Sequence, residues 1–182
     1  MNAFYIRRAT VSDAEMLGRI AARTFTDTFG HLYKPQDLET YLATAYAKMQ
    51  KEIEDSNKYT VFLFPSEEAK TPCGFSMVSD GSVRPGDEDK NADKYLELKR
   101  FYMEKEFHGT GAASVLMKHV MEVNNQAKNR PIVWLIVWEN NFRAHNFYKK
   151  YGFHETGEHF YQVGEHMDRE FVFSLQQPEL LE

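Results

Sequence analysis

The residues best suited to chemistry in this chain stand in one run, His108-Gly109-Thr110-Gly111-Ala112-Ala113-Ser114, shortly after Leu96-Glu97-Leu98-Lys99-Arg100-Phe101-Tyr102-Met103. Apolar and charged residues alternate in the earlier stretch, which is the period of a strand. Small residues follow it, and then Leu116, Met117, Val120 and Val123 take up helical spacing. A strand, a glycine turn and a helix in that order gather several unpaired backbone N–H groups and the positive end of a helix dipole just beyond the strand. Such a point suits a phosphate or pyrophosphate. The same glycines could serve only to turn the chain and let it approach its neighbours closely, so the turn alone leaves both readings open.

Composition narrows what such a site could serve. At 182 residues and 42% hydrophobic, the chain is long enough for one continuous core, and 14 Phe, 10 Tyr and 2 Trp predict that this core is aromatic, with some rings lining a cleft. The formal charge is −5, from 27 acidic and 22 basic residues, which disfavours nucleic acid or an anionic membrane as partner and favours a cationic substrate. With Cys73 as the single cysteine there is no internal disulfide and no cysteine-cluster metal site. Cys73 is expected to be inert packing. None of the seven histidines has metal spacing with acidic or cysteine partners, so no metal is expected. The N-terminus lacks the apolar core of a signal peptide and no segment is long enough to span a bilayer, so the expectation is a soluble, cytoplasmic protein.

The elements that must position the turn can be read in order. Phe4 to Ala9 reads as an opening strand, followed by Ser12 and Glu15 at capping-box spacing and a helical face of Ala14, Leu17, Ala21 and Phe25 that runs to about Thr28, with Gly30 as its end. Pro35 opens a second helix, with Leu38, Tyr41, Leu42, Ala45 and Met49 on one stripe. The aromatic and hydroxyl-rich stretch from Thr24 to Tyr33 is either a substrate-side rim or a helix end packed by its own rings. Tyr59 to Phe64 and Cys73 to Val78 predict a hairpin, and Ser79 to Lys94 a solvated loop with acidic Asp80, Asp87, Glu88, Asp89 and Asp93. Ile132 to Trp138 is an unbroken apolar run, which predicts a strand buried on both faces, and its place is expected beside the opening strand. Asn141 then precedes Ala144, Phe147, Tyr148 and Tyr151 at helical spacing, with Gly152 as a stop. Two strand–turn–helix units joined by a helical crossover must pair parallel strands, which puts both helix N-termini at the same sheet edge. Phe153 to Val163 and Arg169 to Leu175 predict a closing, partly exposed hairpin, and the chain after Pro178 a loose tail.

With both units in view, the chain resembles the GCN5-related N-acetyltransferase family over nearly its whole length. The family's phosphate turn, Gln/Arg-x-x-Gly-x-Gly/Ala, is matched by His108-Gly109-Thr110-Gly111-Ala112-Ala113, with histidine in place of the usual first residue. Its second signature, Asn-x-x-Ala-x-x-Phe/Leu-Tyr-x-x-x-Gly-Phe, is met in full from Asn141 through Ala144, Phe147, Tyr148 and Gly152 to Phe153. Ile6-Arg7-Arg8-Ala9-Thr10 followed by Asp13 is also how family members begin. Within the family, Glu97 to Met103 with Val137 to Asn141 look most like the polyamine (spermidine/spermine-type) branch.

The resemblance implies acetyl-CoA as donor. Backbone amides from Gly109 through Thr110, Gly111, Ala112 and Ala113 to Ser114 would hold the pyrophosphate, next to His108. Phe101, Tyr102 and Met103 would offer main-chain groups to the pantetheine arm, with an N–H polarising the thioester carbonyl. Asn141 would reach the pantetheine, cap its helix, or do both. Tyr148 is by resemblance the general acid that protonates the leaving thiolate, and otherwise a core tyrosine. The amine acceptor arrives protonated, so a base is needed. Glu97 is preferred, unless Lys99 holds it in a salt bridge; Asp27, Glu139 and His31 are the other candidates.

The expectation is therefore a single α/β domain over residues 1–177, with a tail at 178–182. Its sheet is mixed, mainly antiparallel and splayed at its middle, with helices on both faces. The expected activity is direct acetyl transfer from acetyl-CoA to a primary amine, first a polyamine or other small amine. A protein lysine or N-terminal amine is the alternative acceptor, and a non-catalytic acyl-CoA-binding module the alternative class. A homodimer is left open. A Rossmann reading fails, because the turn does not follow the first strand and there is no second nucleotide half.

Overall fold

The computed structural model describes residues 4–125 and 130–176, so the tail after Pro178 lies outside the described residues. The strands are β1 (Tyr5–Arg8), β2 (Lys58–Phe64), β3 (Gly74–Asp80), β4 (Tyr95–Met103), β5 (Ile132–Trp138), β6 (His154–Val163) and β7 (His166–Gln176). They form one seven-stranded sheet in the order β1-β2-β3-β4-β5-β7-β6. Every neighbouring pair is antiparallel except β4 and β5. The helices are α1 (Ala14–Phe29), α2 (Pro35–Tyr46), α3 (Met49–Glu54), α4 (Ala112–Val123) and α5 (Phe142–Lys150).

Side-chain alternation along the strands divides the core between two sheet faces. On one face Phe62, Phe64, Phe75 and Met77 pack under Leu17, Ile20 and Phe25 of α1 and Met49 of α3. On the other, Val78, Leu96, Leu98, Val133, Leu135 and Val137 pack under Met117 and Val120 of α4 and Tyr148 of α5. Burying a side chain of this size contributes roughly 1.5–3 kcal/mol, so these rings and aliphatics fix which face each helix covers. Cys73 is buried with them; its thiol donates to the Leu63 carbonyl, and burial pushes its pKa up to about 11, the behaviour of inert packing.

The sheet opens where the functional turns lie. β4 and β5 pair only through Tyr95↔Ile132, Leu96↔Val133 and Glu97↔Trp134, while β4 runs on to Met103 and β5 to Trp138. Opposite the start of that gap, Val78 pairs with Leu98 but Met77 with Arg100, so Lys99 is an extra residue in β4. A bulge of this kind bends its strand, which turns β4 away from β5.

Three expectations are corrected. The apolar strand β5 does not lie beside β1; it lies between β4 and β7, and β1 is an edge strand on β2, because non-local pairing rather than chain order sets sheet neighbours. The stripe from Leu38 to Met49 is not one helix. It breaks after Tyr46, and Met49 belongs to the short α3. The first helix is entered not through Ser12 and Glu15 but through Thr10 and Asp13: Asp13 Oδ2 accepts from the Thr10 backbone N at 2.8 Å and the Thr10 hydroxyl at 2.7 Å. Arg7 completes that corner with two hydrogen bonds to the Asp13 carboxylate, at 2.8 and 2.9 Å.

Candidate active site

The splay opens into a cavity of about 470 Å³ that is lined from both sheet faces. From β4 come Glu97 and the stretch Leu98 to Met103, from the turn His108, Gly109 and Ala113, and from β5 and its helix Trp138, Asn141, Arg143, Ala144, Phe147 and Tyr148. Phe25, Thr28, Phe29, Tyr33 and Tyr41 close one side, so the aromatic stretch from Thr24 to Tyr33, across the end of α1, is both a rim and a self-packed helix end. At the far end stand His159, Tyr161, Asp168 and Glu170.

The turn has the geometry an anion requires. Gly109 and Gly111 have φ of 78° and 91°, in the left-handed region that glycine adopts without strain, and a Cβ built on either would meet nothing within 4 Å. The space above them is an open cradle. Helix α4 begins at Gly111 without a side-chain cap, which leaves its positive end to a ligand. Thr110 turns its hydroxyl inward to donate to the Phe107 carbonyl at 2.8 Å. Ala112 is fully buried against Val61 and Leu116, and its N–H donates to the Thr110 hydroxyl oxygen at 3.4 Å. Thr110, Gly111, Ala112 and Ser114 do not line the cavity itself, which meets the turn at His108, Gly109 and Ala113.

His108, the departure from the family pattern, acts as a brace. A guanidinium has no acceptor, so the contact between Arg143 and Nδ1 has the arginine donating; Nε2 then carries the proton and donates to the Met103 carbonyl at 3.1 Å. The ring thereby ties the turn to the last residue of β4. Burial first, and then Arg143, lower its pKa, which keeps it neutral in this role.

Asn141 makes the predicted cap, its Oδ1 accepting from the Ala144 N–H at 3.2 Å, and it also lines the cavity. The ring of Tyr148 is fixed edge-on by Phe101 at 6.3 Å, Phe147 at 5.5 Å and Phe153 at 5.9 Å. Burial raises its pKa well above the ordinary phenol value, so the hydroxyl stays protonated. Glu97 lines the cavity at the last β4–β5 rung, where it accepts from the Ser82 hydroxyl at 2.8 Å and lies 4.0 Å from Lys99 Nζ. Of the other base candidates, Asp27 pairs with Lys105 at 3.5 Å, Glu139 with Arg169 at 3.3 Å, and the His31 ring packs on Trp138.

The acidic loop does not supply the charge of the acceptor end. Asp80 and Asp93 pair with Arg130, Asp87 with Arg84 and Asp89 with Lys94, all outside the cavity. The carboxylates at that end are instead Asp168 and Glu170, two residues apart on β7 and opposite Tyr161 and His159 on β6. Tyr33 donates its hydroxyl to Asp168 Oδ2, and His159 Nδ1 lies 3.1 Å from Glu170 Oε2. These four hairpin residues escaped the sequence reading. Their signal was the repeat of polar side chains at i and i+2 on both arms of a predicted hairpin. Among the described residues no cluster of His, Cys, Asp or Glu could hold a metal, and no helix is long and apolar enough to cross a membrane.

Known proteins resemble this chain in sequence and in fold. The family model described as Acetyltransferase (GNAT) family matches residues 21–153. A protein of Lactobacillus delbrueckii subsp. lactis named as an uncharacterized N-acetyltransferase is 28% identical over 155 residues, covering 84% of this chain and 86% of its own. A probable spermine N(1)-acetyltransferase of Bacillus subtilis subsp. natto is 29% identical over 85 residues, 47% of this chain and 54% of its own. The crystal structure of the PaiA N-acetyltransferase from Thermoplasma acidophilum in complex with coenzyme A superposes with a TM-score of 0.74 at 19% identity, over 96% of this chain and 99% of that one.

Proposed function

This chain belongs to the acetyltransferase (GNAT) family and is an acetyl-CoA-dependent N-acetyltransferase, and on that footing we propose that it acetylates a small primary amine, with a polyamine as first choice. The observation that carries the reading is one continuous cavity, with the glycine cradle and α4 N-terminus at one end and Asp168 and Glu170 among Tyr33, Tyr41 and Tyr161 at the other. Two carboxylates and tyrosine ring faces suit an ammonium group, by charge and by cation–π attraction. The likeness to a relative named as a spermine acetyltransferase points the same way.

Each end then has its part. Backbone amides of Gly109, Gly111 and Ala113 hold the pyrophosphate, because those of Thr110, Ala112 and Ser114 donate to the Phe107 carbonyl, the Thr110 hydroxyl and the Gly111 carbonyl. Main-chain groups of Phe101, Tyr102 and Met103, exposed by the splay, hold the pantetheine, with Asn141 donating its amide N–H to the same arm. An N–H of that β4 stretch polarises the thioester carbonyl. Tyr148, kept protonated by burial, supplies a proton to the departing sulfur.

The test is coenzyme A release from the purified protein with spermidine, spermine, a simple monoamine, a lysine peptide and a free peptide N-terminus. The expected result is saturable release with the polyamines at a kcat/KM at least tenfold above the monoamine. Release only with the peptides, or with no amine, would overturn the proposal.

A further inference from the structure

We infer that Glu170, positioned by His159, is the group that takes the proton from the incoming amine, in place of Glu97. This rests on the acetyl-transfer reading and goes beyond it by naming the base and the face from which the acceptor enters.

The register of the sheet carries the inference. Pairing of β4 with β5 ends at Glu97↔Trp134; continued into the open part, and with Lys99 counted as the extra residue of β4, the register brings Tyr102 level with Trp138. Trp138 is paired directly with Glu170 across β5–β7. Glu170 therefore stands level with the β4 stretch that would hold the thioester, whereas Glu97 is set back at the apex of the splay. Four residues of strand separate them, about 13 Å at roughly 3.3 Å per residue, which is out of hydrogen-bond reach.

The faces agree with this. Val137 and Tyr148 belong to the core beneath α4 and α5, while Trp138, the next residue along β5, turns the other way and meets Phe29 of α1 edge-on at 5.9 Å. Opposed residues in a pair share a face, so Glu170 lies on the α1 side and Tyr148 on the α5 side, and both line the one cavity that passes through the splay. A proton acceptor and a proton donor thus face a thioester held in the gap from opposite sides.

The surroundings suit a base. The Glu170 side chain is 20% exposed, and burial first, then the neighbouring charge of Asp168, raise its pKa, opposed by the His159 contact. Tyr102 of β4 and the Tyr33 hydroxyl, which is committed to Asp168, also feel its charge, with Arg100 of β4, Tyr41 of α2 and Tyr161 of β6 lining the same cavity. In the step itself an R–NH3+ group gives one proton to the Glu170 carboxylate, and the freed lone pair attacks the thioester carbon. The C–N bond forms, the C–S bond breaks, and sulfur takes a proton from the Tyr148 hydroxyl, which regains one from the nitrogen. Glu170 releases its proton to water, leaving an acetylated amine, a thiol and one proton.

The experiment is the pH dependence of kcat/KM with the best amine of the panel, in wild type and in Glu170→Gln, Glu97→Gln, His159→Ala, His159→Asn and Asp168→Asn, with coenzyme A affinity as the check on folding. Glu170→Gln should lower kcat about 10²-fold or more while coenzyme A still binds. The base works ionised, so activity falls as pH drops through the Glu170 pKa. His159→Ala should move that acid limb to higher pH, Asp168→Asn to lower pH, and His159→Asn, which retains a donor near Nδ1, should largely restore the wild-type position. Opposite shifts of this kind are not what two merely structural residues would produce. An active wild type whose kcat and acid limb survive Glu170→Gln but collapse in Glu97→Gln would overturn the assignment and leave the acetyl-transfer reading intact. A wild type that turns over no amine would overturn both.

Discussion

Gly111→Ala, compared with Gly86→Ala, separates backbone strain from ligand binding. Both glycines have left-handed φ, 91° and 84°, and at both an added Cβ meets nothing within 4 Å, so neither substitution brings a clash. Each pays the same conformational penalty, about 1–2 kcal/mol for an L-residue in that region. In a chain of this size that lowers Tm by roughly 2–8 °C, similarly in both variants. The positions differ in what the empty space is for: Gly86 lies in the loop before β4, while Gly111 opens the cradle at the start of α4. A methyl group there keeps the pyrophosphate from at least one amide. Loss of one hydrogen bond to a charged group is worth about 1.5–3 kcal/mol, so coenzyme A should bind roughly 10- to 150-fold more weakly to Gly111→Ala. Calorimetric titration measures this directly, with acetyl-pantetheine, which lacks the pyrophosphate, as the second ligand. Gly86→Ala should bind both ligands like wild type, and Gly111→Ala should lose affinity only for coenzyme A. Equal coenzyme A affinity in the two variants would refute the cradle, and so would equal losses for both ligands.

Two further outcomes follow from the geometry. Tyr148→Phe keeps the ring packed among Phe101, Phe147 and Phe153 and removes only the hydroxyl, so kcat should fall about 10²-fold or more with coenzyme A affinity nearly unchanged, as read by thiol release and titration; parent-like turnover would end the general-acid role. Asp13, held far below the usual carboxylate range by the Arg7 guanidinium and the Thr10 hydrogen bonds, contributes stability that is present above its unfolded pKa, about 3.9, and is lost as pH falls below it. Asp13→Asn should therefore be less stable than wild type at pH 7 in urea titrations, with the difference shrinking below about pH 4; a constant difference across that range would contradict the pairing.

What the sequence determined by itself was local. Alternation in Leu96 to Met103, the glycine pair at 109 and 111, helical spacing after Ala112 and the cap at Asn141 each depend on residues within one or two turns of one another, and they placed β4, the cradle, α4 and α5 nearly where the structure has them. The same local logic misjudged the capping pair and ran α2 on to Met49, because several spacings there satisfied one pattern. Only the tertiary structure decided the rest. Sheet order put β5 between β4 and β7, which brought Glu170 level with the splay, and Tyr33 meets Asp168 across 135 residues of chain. The acidic loop drew attention by composition, yet its aspartates are spent on Arg84, Lys94 and Arg130. The carboxylates at the far end of the cavity lie on the closing hairpin, in an alternation no different from that of an ordinary solvated strand. Charge lists which groups a chain carries; long-range strand pairing, driven by burial of both sheet faces, decides which of them share a cavity.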